Sequence, residues 1–153
     1  MFVQSVKKLF TWTFFFMIFF CYNVNCQEKF LSLKNNEVNV RYGPGFDYEV
    51  KYIYRKINLP VKIVDQKENW RKIIDIKNNS GWIHWSQLKP PKSFITMENK
   101  VLFNKPSLFS KPIARIEKGR LLIYKNCKNR WCKVKTEDYS GWINIQNIWG
   151  KVR

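Results

Sequence analysis

The chain is poor in the residues on which most enzymes depend. Its 153 residues include a single histidine, His84, and six glycines. A cysteine nucleophile needs a histidine base within hydrogen-bond reach, but His84 lies far along the chain from Cys127 and Cys132. The motifs H-E-x-x-H and G-x-S-x-G and a glycine-rich phosphate loop are all missing. We therefore expect no catalytic residues and no cofactor, and we interpret Glu137 and Asp138 as part of a turn.

Cysteine is also scarce, with four residues in the chain. Cys21 and Cys26 lie in or beside an apolar N-terminal segment, which leaves Cys127 and Cys132 for the folded part. An even pair of this kind favours a disulfide in an oxidising compartment. The C-x4-C spacing lacks the second ligand pair that a structural zinc needs, so we expect no metal.

Only one long hydrophobic run is present, and it lies at the N-terminus. Lys7 and Lys8 precede an apolar stretch from Leu9 to Tyr22, and polar residues follow up to Gln27. This pattern indicates a secretory signal peptide over residues 1–26. The run is shorter than the ~20 residues that a membrane-spanning helix needs, and a retained membrane anchor is the alternative. We expect a periplasmic or secreted protein without a stable membrane span.

Negative charge is in short supply. The chain has 28 Lys and Arg against 11 Asp and Glu, a formal net charge of +17. A positive field of this size favours contact with anionic surfaces, and nucleic acid is disfavoured as a partner because export is predicted. The alternative is that Lys, together with the abundant Asn and Ile, reflects a composition bias and only solvates the surface.

An internal repeat organises the rest of the chain. The stretch 69–88 reappears as residues 130–148: a strand opens at Trp70 or Trp131, a polar turn follows, and Gly-Trp-Ile starts a second strand. This arrangement predicts a β-hairpin in each copy. Its repeated residues, which we expect to have structural roles, are Trp70, Trp131, Gly81, Trp82, Gly141 and Trp142.

The segments around the hairpins divide the chain into two β units. Alternation over Val38–Tyr42 predicts a strand that breaks at Gly43-Pro44-Gly45, and Pro60–Val64 predicts another. The stretch between them, 46–57, has no clear period and is predicted to be an irregular, aromatic-rich loop. Two prolines, Pro90 and Pro91, favour a linker. We place the first unit at 32–89, the linker at 90–97 and the second unit at 98–150, with strands at Val101–Phe103, Ile113–Ile116 and Leu121–Lys125.

These motifs resemble those of the bacterial SH3-like (SH3b) family, whose pattern is N-V-R-x-G-P, a valine-rich strand, W-x-K-V and G-W-V. The first unit carries them as 39–44, 60–63, 70–73 and 81–83. The arrangement is similar to tandem exported SH3-domain proteins of the alphaproteobacterial type. The resemblance implies an all-β fold of two tandem small SH3-like β-barrels, in which Arg41 and Gly43 belong to the motif. In the second unit Phe103 replaces Arg41, and Lys105 replaces Gly43.

An aromatic groove is the candidate binding site. Trp70 and Ile73 are three residues apart, so they point to opposite faces of a regular strand. Ile73 is the better core residue, which places Trp70 at an edge or in a groove with Tyr42 and Tyr48; the alternative is that Trp70 only covers the neighbouring loop. SH3-like grooves of this kind hold extended peptides. The predicted ligand-binding residues are Tyr42, Tyr48, Trp70 and Trp85, whereas Trp82 and Trp142 are predicted to pack.

Two functions remain open. The first is a non-enzymatic exported binding or adaptor protein that contacts a cell-wall peptide or an envelope protein. The second is a basic structural module that adsorbs to anionic envelope surfaces without a defined groove. Because only the first unit keeps Arg41, Tyr42 and Gly43, we expect the first unit to bind and the second to support it.

Overall fold

The computed structural model describes residues 28–136 and 138–152, and the predicted signal peptide lies outside this range. These residues form two seven-stranded antiparallel sheets and one short 3-10 helix, Trp85–Gln87. Within the described residues, no helix is long and apolar enough to cross a membrane. The predicted all-β fold of two tandem units is therefore confirmed.

The first unit contains strands β1 to β7. In spatial order the sheet runs β3-β2-β6-β5-β4-β1-β7. The strand bounds are β1 Lys29–Leu33, β2 Val38–Arg41, β3 Val50–Tyr54, β4 Pro60–Lys67, β5 Trp70–Ile74, β6 Ser80–His84 and β7 Leu88–Lys89.

The second unit contains strands β8 to β14 and repeats the same topology. Its sheet runs β10-β9-β13-β12-β11-β8-β14, which is the same order with every number raised by seven. The bounds are β8 Ser93–Thr96, β9 Lys100–Phe103, β10 Pro112–Ile116, β11 Leu121–Lys128, β12 Trp131–Lys135, β13 Ser140–Asn144 and β14 Ile148–Trp149. The repeat seen in the hairpins thus extends over the whole unit.

Each unit has its own hydrophobic core. The fully buried side chains come from inward-facing positions of the central strands, such as Val40, Ile73 and Ile83 in the first unit. Leu102, Val134 and Ile143 are their equivalents in the second. These aliphatic residues lie on one face of each sheet, and the repeated tryptophans do not belong to either core cluster.

The glycine of each Gly-Trp-Ile motif has a packing role. A Cβ atom on Gly81 would lie 2.3 Å from Val40 Cγ1, and one on Gly141 would lie 2.7 Å from the carbonyl oxygen of Phe103. Both distances are too short for a real side chain. The close approach of β6 to β2, and of β13 to β9, therefore requires glycine.

Asp75 shapes the turn of the first hairpin. One carboxylate oxygen accepts hydrogen bonds from the amides of Lys77 (2.8 Å) and Asn79 (2.9 Å), and the other accepts from Tyr54 Oη (3.0 Å) and Asn79 Nδ2 (2.9 Å). Burial alone raises the pKa of Asp75, but these hydrogen bonds outweigh it and hold the pKa below its ordinary value. Burial also raises the pKa of Tyr54, so this hydroxyl remains a donor.

Three segments differ from the sequence predictions. Val50–Tyr54, expected within an irregular loop, is strand β3, and Tyr52 and Tyr54 pack against the first core. Lys29–Leu33 is a strand that the motifs did not indicate. Ser93–Thr96 lies inside the predicted linker but pairs with β11 and β14 and is buried along its whole length. Only residues 90–92 therefore separate the strands of the two sheets.

The two units contact each other through side chains of β1, β4, β8 and β14. Ser32 Oγ lies 3.2 Å from Ser93 Oγ, and both residues are buried. The Trp149 indole nitrogen donates to the carbonyl oxygen of Pro60 at 3.1 Å, and its ring packs edge-on against Phe30 with centroids 5.2 Å apart. These contacts tie the end of the second unit to the start of the first.

Candidate functional site

Four aromatic side chains of the first unit form a connected surface, here called the aromatic cluster: Phe46, Trp70, His84 and Trp85. The Phe46 ring lies 5.0 Å from Trp70 and 5.6 Å from His84, measured between centroids. His84 lies 5.3 Å from Trp70 and 6.4 Å from Trp85. Phe46 is 70% exposed and Trp85 is 54% exposed, so these two rings face solvent.

The hairpin register places the centre of the cluster. Trp70 opens β5 and lies directly opposite His84 at the end of β6. Ile73, three residues after Trp70, belongs to the core, so Trp70 is on the other face, as parity predicts. Trp70 is nevertheless only 7% exposed, because Phe46 packs over it. Trp70 was predicted at an edge or in a groove; it is instead the buried floor of the cluster, in contact with Phe46 of the neighbouring loop.

Arg41 holds the loop that carries Phe46. Its Nη1 atom donates to the carbonyl oxygen of Tyr48 at 2.6 Å and to that of Phe46 at 3.3 Å. The guanidinium also lies over the Phe46 ring, 5.8 Å from its centroid. Hydrogen bonds to a charged donor are among the stronger ones. Arg41 therefore positions Phe46 over Trp70.

A surface cavity of about 340 Å³ opens beside the cluster. Phe46, Trp70 and His84 form its apolar side, and its polar side is lined by Glu37, Asn39, Arg41, Ser86 and Gln87. His84 Nδ1 lies 2.8 Å from Ser86 Oγ, and this contact fixes the ring orientation. An aromatic wall facing amide and carboxylate groups suits a ligand with both apolar and hydrogen-bonding parts.

Tyr42 and Tyr48, predicted to share a groove with Trp70, lie elsewhere. Tyr42 lines a separate cavity of about 270 Å³ with Lys51, Lys72 and Trp82. The Tyr48 ring packs on Gly43, where an added Cβ would lie 2.3 Å from it. Trp70 and Trp85 are therefore the two predicted ligand residues that the structure places in one cluster. Phe46 takes the place expected for the tyrosines.

Phe46 and His84 belong to the cluster but were not predicted as site residues. A count along the hairpin gives His84 as the residue opposite Trp70, so this neighbour was detectable from the register alone. Phe46 had no such signal, because three aromatic residues surround the Gly-Pro-Gly break and only the folded loop selects one.

Trp82 and Trp142 are half-buried on the outer face of their sheets, between the buried pairs Gly81 and Ile83 or Gly141 and Ile143. They lie outside both core clusters. On this outer face Trp82 lies opposite Lys72 of β5 and lines a cavity together with Tyr42.

The second unit has a reduced version of the cluster. Phe103 lies at the position of Arg41, opposite Trp142 as Arg41 lies opposite Trp82. Its ring contacts Trp131 directly, with centroids 5.7 Å apart. Asn144 lies opposite Trp131 where the first unit has His84, and Ile145 follows where it has Trp85. The aromatic cluster is thus a feature of the first unit.

Cys127 and Cys132 form a disulfide, as predicted. They lie directly opposite each other on β11 and β12, and their Cα atoms are 4.1 Å apart. In the part of the chain that the structure describes, no group of three or more His, Cys, Asp or Glu side chains is arranged to hold a metal ion.

Comparisons with known proteins cover both units. The family described as the bacterial SH3 domain matches residues 34–90 and 97–150. Two solved structures, of NlpC2 and NlpC1 from Trichomonas vaginalis, are similar with 15% and 14% sequence identity and a TM-score of 0.36 each. The matched regions cover 82% and 85% of this chain, and 49% and 48% of NlpC2 and NlpC1 respectively. This chain therefore spans about half the length of either protein. No curated protein matches.

Proposed function

Because the chain belongs to the bacterial SH3 domain family, we propose that it is a non-catalytic binding module of the cell envelope whose first unit holds a cell-wall peptide or a segment of an envelope protein. Domains of this family are generally non-catalytic. The observation that carries the proposal is the aromatic cluster, which is present in the first unit and reduced to the Phe103 and Trp131 pair in the second.

The cluster has the chemistry of a peptide site. Phe46 and Trp85 offer rigid rings that a side chain can cover at low cost in conformational entropy. The cavity beside Phe46 is also lined by Asn39 and Gln87, whose amide groups match the donors and acceptors of a peptide backbone. The Gln87 oxygen also accepts a hydrogen bond from Asn35 Nδ2 at 2.6 Å. The Glu37 carboxylate already pairs with the exposed Arg55 at 3.5 Å, and its remaining oxygen lone pairs can accept a hydrogen bond from a ligand amino group. An extended peptide with a free amine satisfies all three features.

We also propose that the protein acts outside the cytoplasm, in the periplasm or after secretion. The signal-like pattern of residues 1–26 and the Cys127–Cys132 disulfide support this location. N-terminal sequencing of the exported protein is expected to give a start near Gln27. A membrane-bound form that keeps Met1 would instead support the anchor.

Co-sedimentation with purified cell-wall sacculi, followed by fluorescence titration with soluble wall peptides, tests the binding site. We expect Phe46→Ala and Trp85→Ala each to weaken binding about tenfold, because a ring in a hot-spot position contributes at least ~1.4 kcal/mol. The matched controls are Leu108→Ala and Ile145→Ala, which alter the equivalent positions of the second unit. Equal losses in both sets would contradict the assignment to the first unit.

The net charge of +17 supports a second candidate, a basic structural module adsorbed to anionic envelope surfaces. Salt separates the two, because adsorption through exposed charges is screened over about 10 Å at 0.1 M ionic strength. Binding through the aromatic cluster is expected to persist at 0.5 M salt, on the order of a fivefold higher ionic strength. Binding that is unchanged in every variant but abolished by salt would favour adsorption.

A further inference from the structure

The second unit contains a wide groove, here called the basic groove, that is distinct from the aromatic cluster. It has a volume of about 950 Å³ and runs along β10 and β11 to the turn before β13, with Lys56 of the first unit at its border. Five cationic side chains line it: Lys56, Arg115, Arg120, Lys125 and Lys135. All five are exposed.

Among the described residues, acidic neighbours offset only part of this positive charge. Glu117 and Asp138 are the acidic groups among the described lining residues, so positive charge is in clear excess. Within residues 28–136 and 138–152, the ion pairs join Arg55 to Glu37, Lys62 to Glu28 and Lys100 to Glu98, and none includes a cation of the groove. Unpaired cations along a concave surface raise the local concentration of anions.

The shape and lining of the groove restrict the class of anion. A concave surface can enclose part of a flexible chain, whereas a flat bilayer surface reaches only its rim. Single-stranded nucleic acid is held by successive aromatic platforms, but Tyr139 is the only aromatic residue among those that line the groove in the described chain. One exposed ring with a hydroxyl suits a sugar face, and guanidinium groups pair with carboxylates in bidentate fashion.

We propose that the basic groove binds a linear anionic polysaccharide. Arg115 and Arg120 contact its acidic groups, and Lys56, Lys125 and Lys135 contact the neighbouring sugars. This site lies on the second unit and does not depend on peptide binding by the first. It also differs from general adsorption, since it requires particular cations in one groove.

The test is isothermal titration of the full chain with a linear oligogalacturonate, a chain with one carboxylate on each sugar. The matched ligand is the same oligosaccharide after methyl esterification, which keeps the chain and removes the charge. We expect binding of the acidic form that weakens steeply with salt, and no binding of the ester. Binding of both forms alike would overturn the proposal.

Two double variants locate the site. Arg115→Glu with Arg120→Glu is expected to weaken binding at least about tenfold, because two attractive contacts near the surface become repulsive. Lys128→Glu with Arg130→Glu causes the same charge change on exposed residues of the same unit outside the groove, and should weaken it less than about threefold. Equal losses in the two variants would show adsorption by net charge and overturn the proposal.

Two further ligands distinguish other anions. An oligonucleotide of equal charge and vesicles with anionic headgroups are titrated under the same conditions. Tighter binding of either, lost in the groove variant, would assign the groove to nucleic acid or lipid and contradict a polysaccharide. Unchanged binding of the wall-peptide probe in the groove variant is expected, because the aromatic cluster lies on the first unit. A wild-type melting temperature, followed by circular dichroism, shows that the second unit of the variant is folded.

Discussion

Trp149 is expected to couple the two units. Its indole nitrogen donates to the carbonyl oxygen of Pro60, and its ring packs edge-on against Phe30, both across the junction. In the first unit the equivalent position is Lys89, at the end of β7. Trp149 therefore makes a contact between the units for which Lys89 is no equivalent. We expect its removal to lower both the stability of the protein and the cooperativity with which the two units unfold.

The size of the effect follows from the contacts. Loss of one hydrogen bond costs about 1 kcal/mol, and the loss of an edge-on aromatic pair costs about 0.5–1.5 kcal/mol. Truncation of a buried tryptophan to alanine costs about 3–5 kcal/mol in total. Since Trp149 is half-buried, we expect Trp149→Ala to cost about 2–3 kcal/mol, which is below the range for full burial. Trp149→Phe keeps an aromatic ring but loses the N–H donor, and should cost about 1 kcal/mol.

Differential scanning calorimetry and urea unfolding followed by circular dichroism measure this coupling. Units of this size are marginally stable alone, so each depends on its contact with the other. We therefore expect one unfolding transition in the wild-type protein, and two in Trp149→Ala because the units then unfold separately. Lys89→Ala is the control and should leave the single transition unchanged. A wild-type midpoint and slope in Trp149→Ala would refute the role of Trp149 in joining the units.

Three further changes have defined outcomes. Cys132→Ser removes the disulfide and should lower the free energy of unfolding by about 2 kcal/mol, a small loss because the closed loop is short. Urea unfolding of the variant, and of the wild type with and without reductant, checks this. Equal stability of the oxidised and reduced wild type would contradict it. Asp75→Ala should cost about 2–3 kcal/mol at neutral pH. Because the folded-state pKa of Asp75 is lowered, this advantage is present above about pH 4 and is lost as the pH falls further, so melting temperatures of wild type and variant should converge in acid. Arg41→Ala should weaken sacculus binding and speed amide hydrogen exchange in the loop of Phe46. Unchanged exchange would show that the hydrogen bonds from Arg41 do not hold this loop in place.

Much of the fold was predictable from the sequence. The paired Trp and Gly-Trp-Ile motifs located both hairpins, and the resemblance to the bacterial SH3-like family was confirmed. Strand β3 was missed because Val50 and Ile53 are both exposed although apolar, which obscures the period-two pattern. Strand β8 was missed for the opposite reason: all four of its residues are buried, including the polar Ser93 and Thr96, so its sequence shows no alternation of polar and apolar residues. It also follows two prolines.

The candidate site was only partly predictable. The alternation of side chains along a strand correctly placed Trp70 on the face opposite the core residue Ile73. This inference requires only the spacing of the two residues in the sequence. Tyr42 and Tyr48 were predicted to share a groove with Trp70, but Phe46 is its neighbour, because the loop conformation depends on the two carbonyl groups that Arg41 contacts. Such contacts join residues of an irregular loop to a strand, and no periodicity reports them. The basic groove likewise combines strands that only the folded sheet brings together.

The position shared by Arg41 and Phe103 explains how one fold supports two different surfaces. Both residues end the second strand of their unit and lie opposite the tryptophan of the Gly-Trp-Ile motif. Arg41 reaches the loop after it and holds Phe46 over Trp70, whereas the Phe103 ring covers Trp131 by itself. The loop after Phe103 is then not needed as a cover, and Leu108 at its tip is exposed. Because the tryptophan is covered in both cases, the hairpin stays intact, and the second unit can lose the aromatic cluster without losing its core.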